Sequence, residues 1–220
     1  MIIQMNLQNL IHEIPTGVKL VVVSKTQPVQ TIRALYDSGQ RMFGENKVQE
    51  LVAKQPQLPG DIEWHFIGHL QRNKVKFIAP VTSLIHSIDS FKLLKDVNKE
   101  AEKICRKVNC LLQFHIASEE TKFGLDLEEA VSMLASPEYP ELKFVNICGV
   151  MGMATFTENQ ERVRQEFSHL HTVFQRLKET YFKESPDFKE LSMGMTNDYL
   201  VAIEEGSTML RIGSMIFSPG

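Results

Sequence analysis

The sequence predicts a closed (β/α)8 barrel, an α/β fold in which eight parallel strands alternate with helices. Short, continuously apolar, β-branched runs recur along the chain, which is typical of strands buried on both faces. Stretches with helical spacing separate these runs, and the alternation repeats about eight times. The length of 220 residues suits a short barrel, and no linker-like segment divides the chain. We therefore expect one domain over residues 1–220, with an open doubly wound sheet as the alternative fold.

The elements follow one another in a regular order. The predicted strands cover residues 18–24, 40–43, 63–67, 83–88, 111–117, 142–150, 189–193 and 209–217. An extra N-terminal helix at residues 3–12 precedes them, and further helices are predicted at residues 28–39, 91–108, 126–134, 163–177 and 197–205. Because chemistry in such barrels lies at the carboxyl ends of the strands, the residues that follow each run are the candidates for function.

Composition and charge exclude several classes of protein. Hydrophobic residues make up 43% of the chain and charged residues 23%, which excludes a disordered chain, a collagen and a coiled-coil rod. The net charge is −3, so no overall positive field attracts nucleic acid or an anionic membrane. Any phosphate must therefore be held locally.

Cysteine usage and the N-terminus indicate a cytoplasmic protein. Three cysteines without a CxxC spacing predict neither a disulfide framework nor a zinc ribbon. His65 and His69 have no acid between them and make no metal signature, so we expect no metal. The first residues lack a basic region and a cleavage site, and no apolar run is as long as a membrane span.

Lys25 directly follows the apolar run VVVS at the end of the first predicted strand. Burial would lower the pKa of this lysine and make its amine nucleophilic, as a Schiff base requires. Alternatively, the lysine extends out of the barrel mouth and has no chemical role. Its position alone leaves both interpretations open.

Two segments near the end of the chain predict a phosphate site. Residues 191–198, LSMGMTND, lead from a strand into a helix, with Thr196 or Asn197 as the predicted N-cap, where free N–H groups attract an anion. In RIGS at 211–214, Gly213 allows close backbone approach and Ser214 offers N–H and O–H donors. The loops after the last two strands form the usual phosphate site of this fold, which favours phosphate over ordinary turns.

Three further side chains are candidates for ligand contacts. Arg211 alternates with Gly213, so it can face the barrel interior, where a bound anion, a ring nitrogen or a carboxylate would serve as its partner. A structural ion pair explains Arg211 equally well. Asn46 follows the second strand and could bind a ligand oxygen or simply belong to a turn. His65 is either a packed strand histidine or a wall of the pocket.

Four long segments together resemble the YggS/PROSC family of pyridoxal 5′-phosphate (PLP) homeostasis proteins. The segments are VVVSKTQP, RMFGENKVQEL, EWHFIGHLQRNKVK and LSMGMTNDYLVAIEEGSTMLRIGSMIF. They occur in the order typical of the family and cover nearly the whole chain. One departure is Lys47, which follows FGEN where many members carry tyrosine.

The resemblance implies a barrel like the N-terminal domain of bacterial alanine racemase, with PLP bound as an internal aldimine. Lys25 matches the family's Schiff-base lysine. Arg211 matches an arginine near the cofactor, and Asn46 and His65 match residues around the pocket. The phosphate-binding positions of the family match Ser192, Met193, Gly213 and Ser214.

The implied function is to hold PLP and to take part in intracellular PLP homeostasis, by buffering or delivery, without robust catalysis. PLP-dependent apo-enzymes and free amino acids are the implied partners, and we expect a monomer. The alternative is a PLP-dependent racemase or decarboxylase with weak activity. Alanine racemases carry a second domain that supplies a tyrosine base, for which this chain is expected to have no room. A Schiff-base aldolase without PLP and a non-catalytic adaptor are more distant alternatives.

Overall fold

Eight parallel strands form a closed barrel in this computed structural model, which describes residues 2–117 and 123–218. The strands neighbour one another in chain order: β1 (Lys19–Val23), β2 (Met42–Glu45), β3 (Glu63–Phe66), β4 (Leu84–Ile88), β5 (Val108–Phe114), β6 (Val145–Gly152), β7 (Glu190–Ser192) and β8 (Met209–Ile212). Strand β8 closes the barrel on β1, with Lys19 opposite Met209 and Val22 opposite Ile212. The predicted (β/α)8 fold is confirmed.

Helices surround the barrel in the described residues: α1 (Ile2–Glu13), α2 (Val29–Asp37), α3 (Val48–Lys54), α4 (Val75–Ile78), α5 (Phe91–Lys103), α6 (Leu127–Ala135), α7 (Gln160–Tyr181), α8 (Tyr199–Glu204) and α9 (Ser214–Phe217). Side chains cap three of them, since Ser90, Asp126 and Asn159 accept hydrogen bonds from N–H groups of the first turn. The predicted N-terminal helix is present as α1. It packs against α9, where Asn6 donates to the Ile216 carbonyl at 3.1 Å.

Several boundaries differ from the predictions; for example, β6 covers Val145–Gly152 rather than residues 142–150. The last predicted strand, 209–217, ends at Ile212, and its apolar end is helix α9 with Ile216 buried. A short apolar run has no periodicity that separates a strand from a buried helix. The helix predicted to reach residue 108 ends at Lys103, because the chain reverses at Cys105 with φ +49°. Strand β5 therefore begins at Val108 rather than at residue 111. Helices α3 and α4 were not predicted.

The barrel interior differs from the layer between the strands and the helices. That layer is a large apolar core, whereas the interior holds a small apolar cluster of Val21, Leu84, Leu111, Cys148, Met151 and Met209. Buried polar side chains complete the interior, among them His65, His86, Ser192 and Arg211. Buried polar groups need partners, so this concentration marks a place where side chains must satisfy one another or a ligand.

Residues 2–117 and 123–218 contain no helix with the length and apolar character needed to cross a membrane.

Candidate functional site

Lys25 lies just beyond the carboxyl end of β1 and is exposed. Strand alternation puts it on the same side of the chain as Val21, which belongs to the interior cluster. Within the described residues, no hydrogen bond or ion pair engages its Nζ atom. Of the two interpretations that the sequence left open, the structure agrees with the exposed lysine, and the next residue, Thr26, has φ +63°. The structure therefore presents Lys25 as an accessible amine at the barrel mouth.

The turn that carries Lys25 rests on an ion-pair cluster. Glu45, at the end of β2, accepts a hydrogen bond from the Ser24 hydroxyl at 2.6 Å and pairs with Lys54 Nζ at 2.8 Å. Burial raises the pKa of Glu45, and the bonds from Lys54 and Ser24 oppose that rise. Lys54, which pairs with Glu45, lies at the end of α3. Because α3 was not predicted, the sequence did not identify this pair.

Arg211 is a buried cation held by neutral groups. It is 4% exposed and donates from Nη1 to Ser192 Oγ at 2.6 Å and from Nη2 to the Gly152 carbonyl at 3.0 Å. Burial lowers its pKa to about 10, and Asp198 partly offsets this. No carboxylate of the described residues forms an ion pair with it, so the structural ion pair considered for Arg211 is not found. Asp198 compensates this charge only in part, and the remaining charge suits an anionic ligand or an acceptor nitrogen.

A hydrogen-bonded chain runs from Arg211 through the barrel interior. Ser192 Oγ lies 3.1 Å from His86 Nδ1, and His86 Nε2 lies 2.9 Å from His65 Nδ1. Burial lowers the pKa of His65 to about 3 and that of His86 well below 6.5, so both rings are neutral. Because the guanidinium of Arg211 can only donate hydrogen bonds, Ser192 Oγ accepts one from it, and the Ser192 hydroxyl donates a hydrogen bond to His86 Nδ1. Each ring then carries its proton on Nε2.

His65 is connected to Ser192 only indirectly, by the hydrogen bonds that His86 forms with both residues. Its ring also lines a cavity of about 320 Å3 at the amino end of the barrel, beside Lys19 and Glu190. The structure therefore does not bring His65 together with Lys25.

The predicted phosphate residues divide into two groups. Ser192 and Met193 are completely buried, and Ser192 is engaged by Arg211 and His86. Ser214 is exposed at the mouth, and its hydroxyl donates to Thr196 Oγ1 at 2.9 Å. Thr196 or Asn197 was predicted as the N-cap of the helix that follows, but the N-cap of α8 is Asp198. The pair of hydroxyls on Thr196 and Ser214 is the more accessible of the two groups.

Gly213 brings the loop after β8 close to β1. A Cβ atom at this position would lie 2.8 Å from the Val23 carbonyl oxygen, so a larger residue would push the two strand ends apart. The close approach places Ser214 beside the strand that leads to Lys25. The absence of a side chain at Gly213 therefore allows the ends of β8 and β1 to lie close together at the mouth.

Asn46 carries a buried Oδ1 atom without a hydrogen-bond partner. It directly follows β2, and the chain at Gly68 passes so close that a Cβ there would lie 2.1 Å from the Asn46 carbonyl oxygen. An unsatisfied buried polar atom costs about 1–3 kcal/mol, which a ligand atom at the mouth would recover. The prediction that Asn46 faces a ligand is consistent with this arrangement.

The described residues contain no group of three or more histidine, cysteine or acidic side chains that could hold a metal ion.

Comparison with known proteins identifies the family. The model of the alanine racemase N-terminal domain matches residues 2–219. A pyridoxal phosphate homeostasis protein of Aquifex aeolicus is 40% identical over 201 residues, covering 90% of this chain and 86% of the relative. The structures of PipY from Synechococcus elongatus match with TM-scores of 0.90 without PLP and 0.86 with PLP bound. Their identities are 34% and 33%, and both matches cover 98% of this chain and 100% of PipY. Over its whole barrel, this chain thus belongs to the alanine racemase N-terminal domain family and, within it, to the pyridoxal phosphate homeostasis proteins.

Proposed function

We propose that this chain binds PLP at the carboxyl end of its barrel and takes part in PLP homeostasis, by buffering or delivering the cofactor. One observation carries the proposal: the accessible amine of Lys25, the buried cation of Arg211 and the hydroxyl pair of Thr196 and Ser214 lie on adjacent strand ends. The names of the relatives and the PLP-bound PipY structure support it.

The residues present fit the three polar parts of PLP. When bound, PLP supplies an aldehyde that primary amines attack. Lys25 offers such an amine, and its exposure leaves it open to competing amines. Arg211 uses two N–H donors on Ser192 and Gly152, so further donors of its guanidinium can serve a ring nitrogen or an anionic oxygen.

The phosphate end fits the loops after β7 and β8. The hydroxyls of Thr196 and Ser214 and the backbone next to Gly213 offer donors at the mouth. Ser192 contributes indirectly, since it holds Arg211, and Met193 packs beneath the loop. Asn46 closes the opposite side with its unpaired amide oxygen. His65 acts through His86 and Ser192.

The structure of the mouth favours exchange over catalysis. An amine in solution can reach Lys25 and compete for the aldehyde, which is what buffering and delivery require. We propose PLP-dependent apo-enzymes as the acceptors, free amino acids as competing amines, and a cytoplasmic monomer. Light scattering during size-exclusion chromatography tests the monomer, and transfer of PLP to an apo-enzyme across a dialysis membrane tests whether contact is required.

The deciding experiment is an absorbance spectrum of the full chain after incubation with PLP and removal of unbound PLP by gel filtration, before and after borohydride. We compare the wild type with Lys25→Ala and with Lys47→Ala, which removes a neighbouring exposed lysine. A visible band that borohydride abolishes, present in wild type and Lys47→Ala but absent in Lys25→Ala, supports the proposal. A wild type that stays colourless with PLP contradicts it. Amino-acid turnover above the Lys25→Ala background would instead support a racemase or decarboxylase.

A further inference from the structure

The backbone on both sides of Lys25 is tied to one cluster of charged side chains. Lys54 Nζ donates to the Ser24 carbonyl at 2.9 Å, to Glu45 Oε1 at 2.8 Å and to Glu50 Oε2 at 2.9 Å. A lysine ammonium has three donors, so these contacts use all of them. Lys54 is 8% exposed, and its charge is held in place by two carboxylates.

The two carboxylates extend this cluster to the residues that flank Lys25. Glu45 Oε1 also accepts the hydroxyl proton of Ser24 at 2.6 Å, and Glu50 Oε2 accepts the backbone N–H of Thr26 at 2.7 Å. Ser24, before Lys25, is therefore bound by Lys54 and Glu45, and Thr26, after it, is bound by Glu50, which pairs with the same Lys54. Within the described residues, the Lys25 side chain forms no such hydrogen bond or ion pair, so its orientation depends on the backbone of this turn.

Thr26 shows why this backbone needs a clamp. Its φ is +63°, a left-handed conformation that is unfavourable for a β-branched residue by about 1–3 kcal/mol. The turn persists because Glu50 holds the Thr26 N–H and Lys54 holds the Ser24 carbonyl. Without these bonds the turn would relax toward negative φ, and the Lys25 amine would leave its place at the mouth.

We propose that Lys54 is a positioning residue for Lys25: with Glu45 and Glu50 it clamps the turn from Ser24 to Thr26 so that the Lys25 amine is presented to an incoming aldehyde. This inference rests on the proposed function, because it concerns how fast Lys25 captures PLP. It assigns a role to α3, whose Glu50 and Lys54 stand one helical turn apart and both face the β1 turn.

The test separates capture from binding. Stopped-flow absorbance of the full chain measures the rate of PLP capture, and calorimetry measures the affinity for pyridoxine 5′-phosphate, which has no aldehyde. In Lys54→Met and Glu50→Ala we expect capture to slow about 10- to 100-fold, since small misplacements of a reacting group have effects of this size. The affinity for pyridoxine 5′-phosphate is expected to stay unchanged. Glu50→Gln keeps an oxygen for the Thr26 N–H and should capture PLP faster than Glu50→Ala.

Controls make each result decisive. Lys95→Met removes an exposed lysine paired with Glu138, far from the turn, and should capture PLP like the wild type. If Lys54→Met does not fold, the two Glu50 variants decide. Capture at the wild-type rate in folded variants overturns the inference, as does an equal loss of capture and of pyridoxine 5′-phosphate affinity. A wild type that does not capture PLP refutes the proposed function instead.

Discussion

His65 and His86 are buried as neutral rings, and this makes the stability of the barrel sensitive to acid. The pKa of His65 is about 3, against an ordinary value of 6.5, because burial disfavours the imidazolium. Between these two values the unfolded chain binds a proton at His65 that the folded chain does not bind. The free energy of unfolding therefore falls as the pH falls from 6.5 toward 3, and this contribution is fully present above pH 6.5.

The size of the effect follows from the shift. Each pH unit below the unfolded pKa removes about 1.4 kcal/mol for one histidine, so His65 alone accounts for about 2 kcal/mol between pH 6.5 and 5. The lowered pKa of His86 acts in the same direction. Since small proteins are stable by about 5–15 kcal/mol, a change of this size is measurable.

We expect His65→Gln to weaken the pH dependence by about 2 kcal/mol over this interval, because glutamine does not titrate and its amide can still accept a hydrogen bond from His86. Urea denaturation at several pH values measures it, with the fluorescence of Trp64, the single tryptophan, and circular dichroism as probes. His169→Gln, on the exposed face of α7, is the matched control for removing a histidine. Parallel loss of stability in wild type and His65→Gln as the pH falls would show that His65 is not kept neutral by the fold.

Four other substitutions give three distinct expected outcomes. Gly149→Ala should destabilise the fold by about 4 kcal/mol or prevent folding. The reason is that φ at Gly149 is +151° and a Cβ atom there would lie 1.8 Å from the Glu190 carbonyl oxygen. Thermal melting measures the effect, and an unchanged melting temperature would contradict this expectation. Replacing Ser214 or Thr196 by alanine should weaken PLP binding about tenfold in equilibrium titrations, whereas unchanged affinity would place the phosphate elsewhere. Arg211→Met should raise the stability of the PLP-free chain by about 1–3 kcal/mol and weaken PLP binding, since it removes a buried cation that Asp198 compensates only in part. A less stable chain in urea denaturation would show that Arg211 serves the fold.

Local pattern predicted the barrel and several of its site residues. Eight apolar runs set the strand number, and the residues that follow the runs, such as Lys25 and Ser214, are at the mouth as expected. The hydrophobic pattern gave the wrong element where a short apolar run fits both a strand and a helix. The apolar end of the chain, SMIF, fits a strand or a helix equally well, and only its packing under α1 makes it helix α9.

The contacts inside the site could not be predicted, because they join residues that are distant in the chain. Ser192 was expected at the phosphate. In the structure its hydroxyl accepts a hydrogen bond from Arg211 and donates one to His86, which is 106 residues away in the chain. The sequence did not predict a role for Lys54, because helix α3 was not predicted and a lone lysine is usually solvated. Its burial against Glu45 depends on how α3 packs beside β2.

The order of residues along the chain was enough to predict the fold class, the family resemblance and the chemical groups available at the mouth: an amine, a guanidinium, small hydroxyls and flexible glycine. These depend on periodicity and residue identity, which are local. The tertiary structure alone decided which groups are buried, which are paired and which remain free to meet a ligand. Burial and hydrogen bonding depend on barrel closure and strand register, which bring β1, β7 and β8 side by side although 165 residues or more separate β1 from the other two.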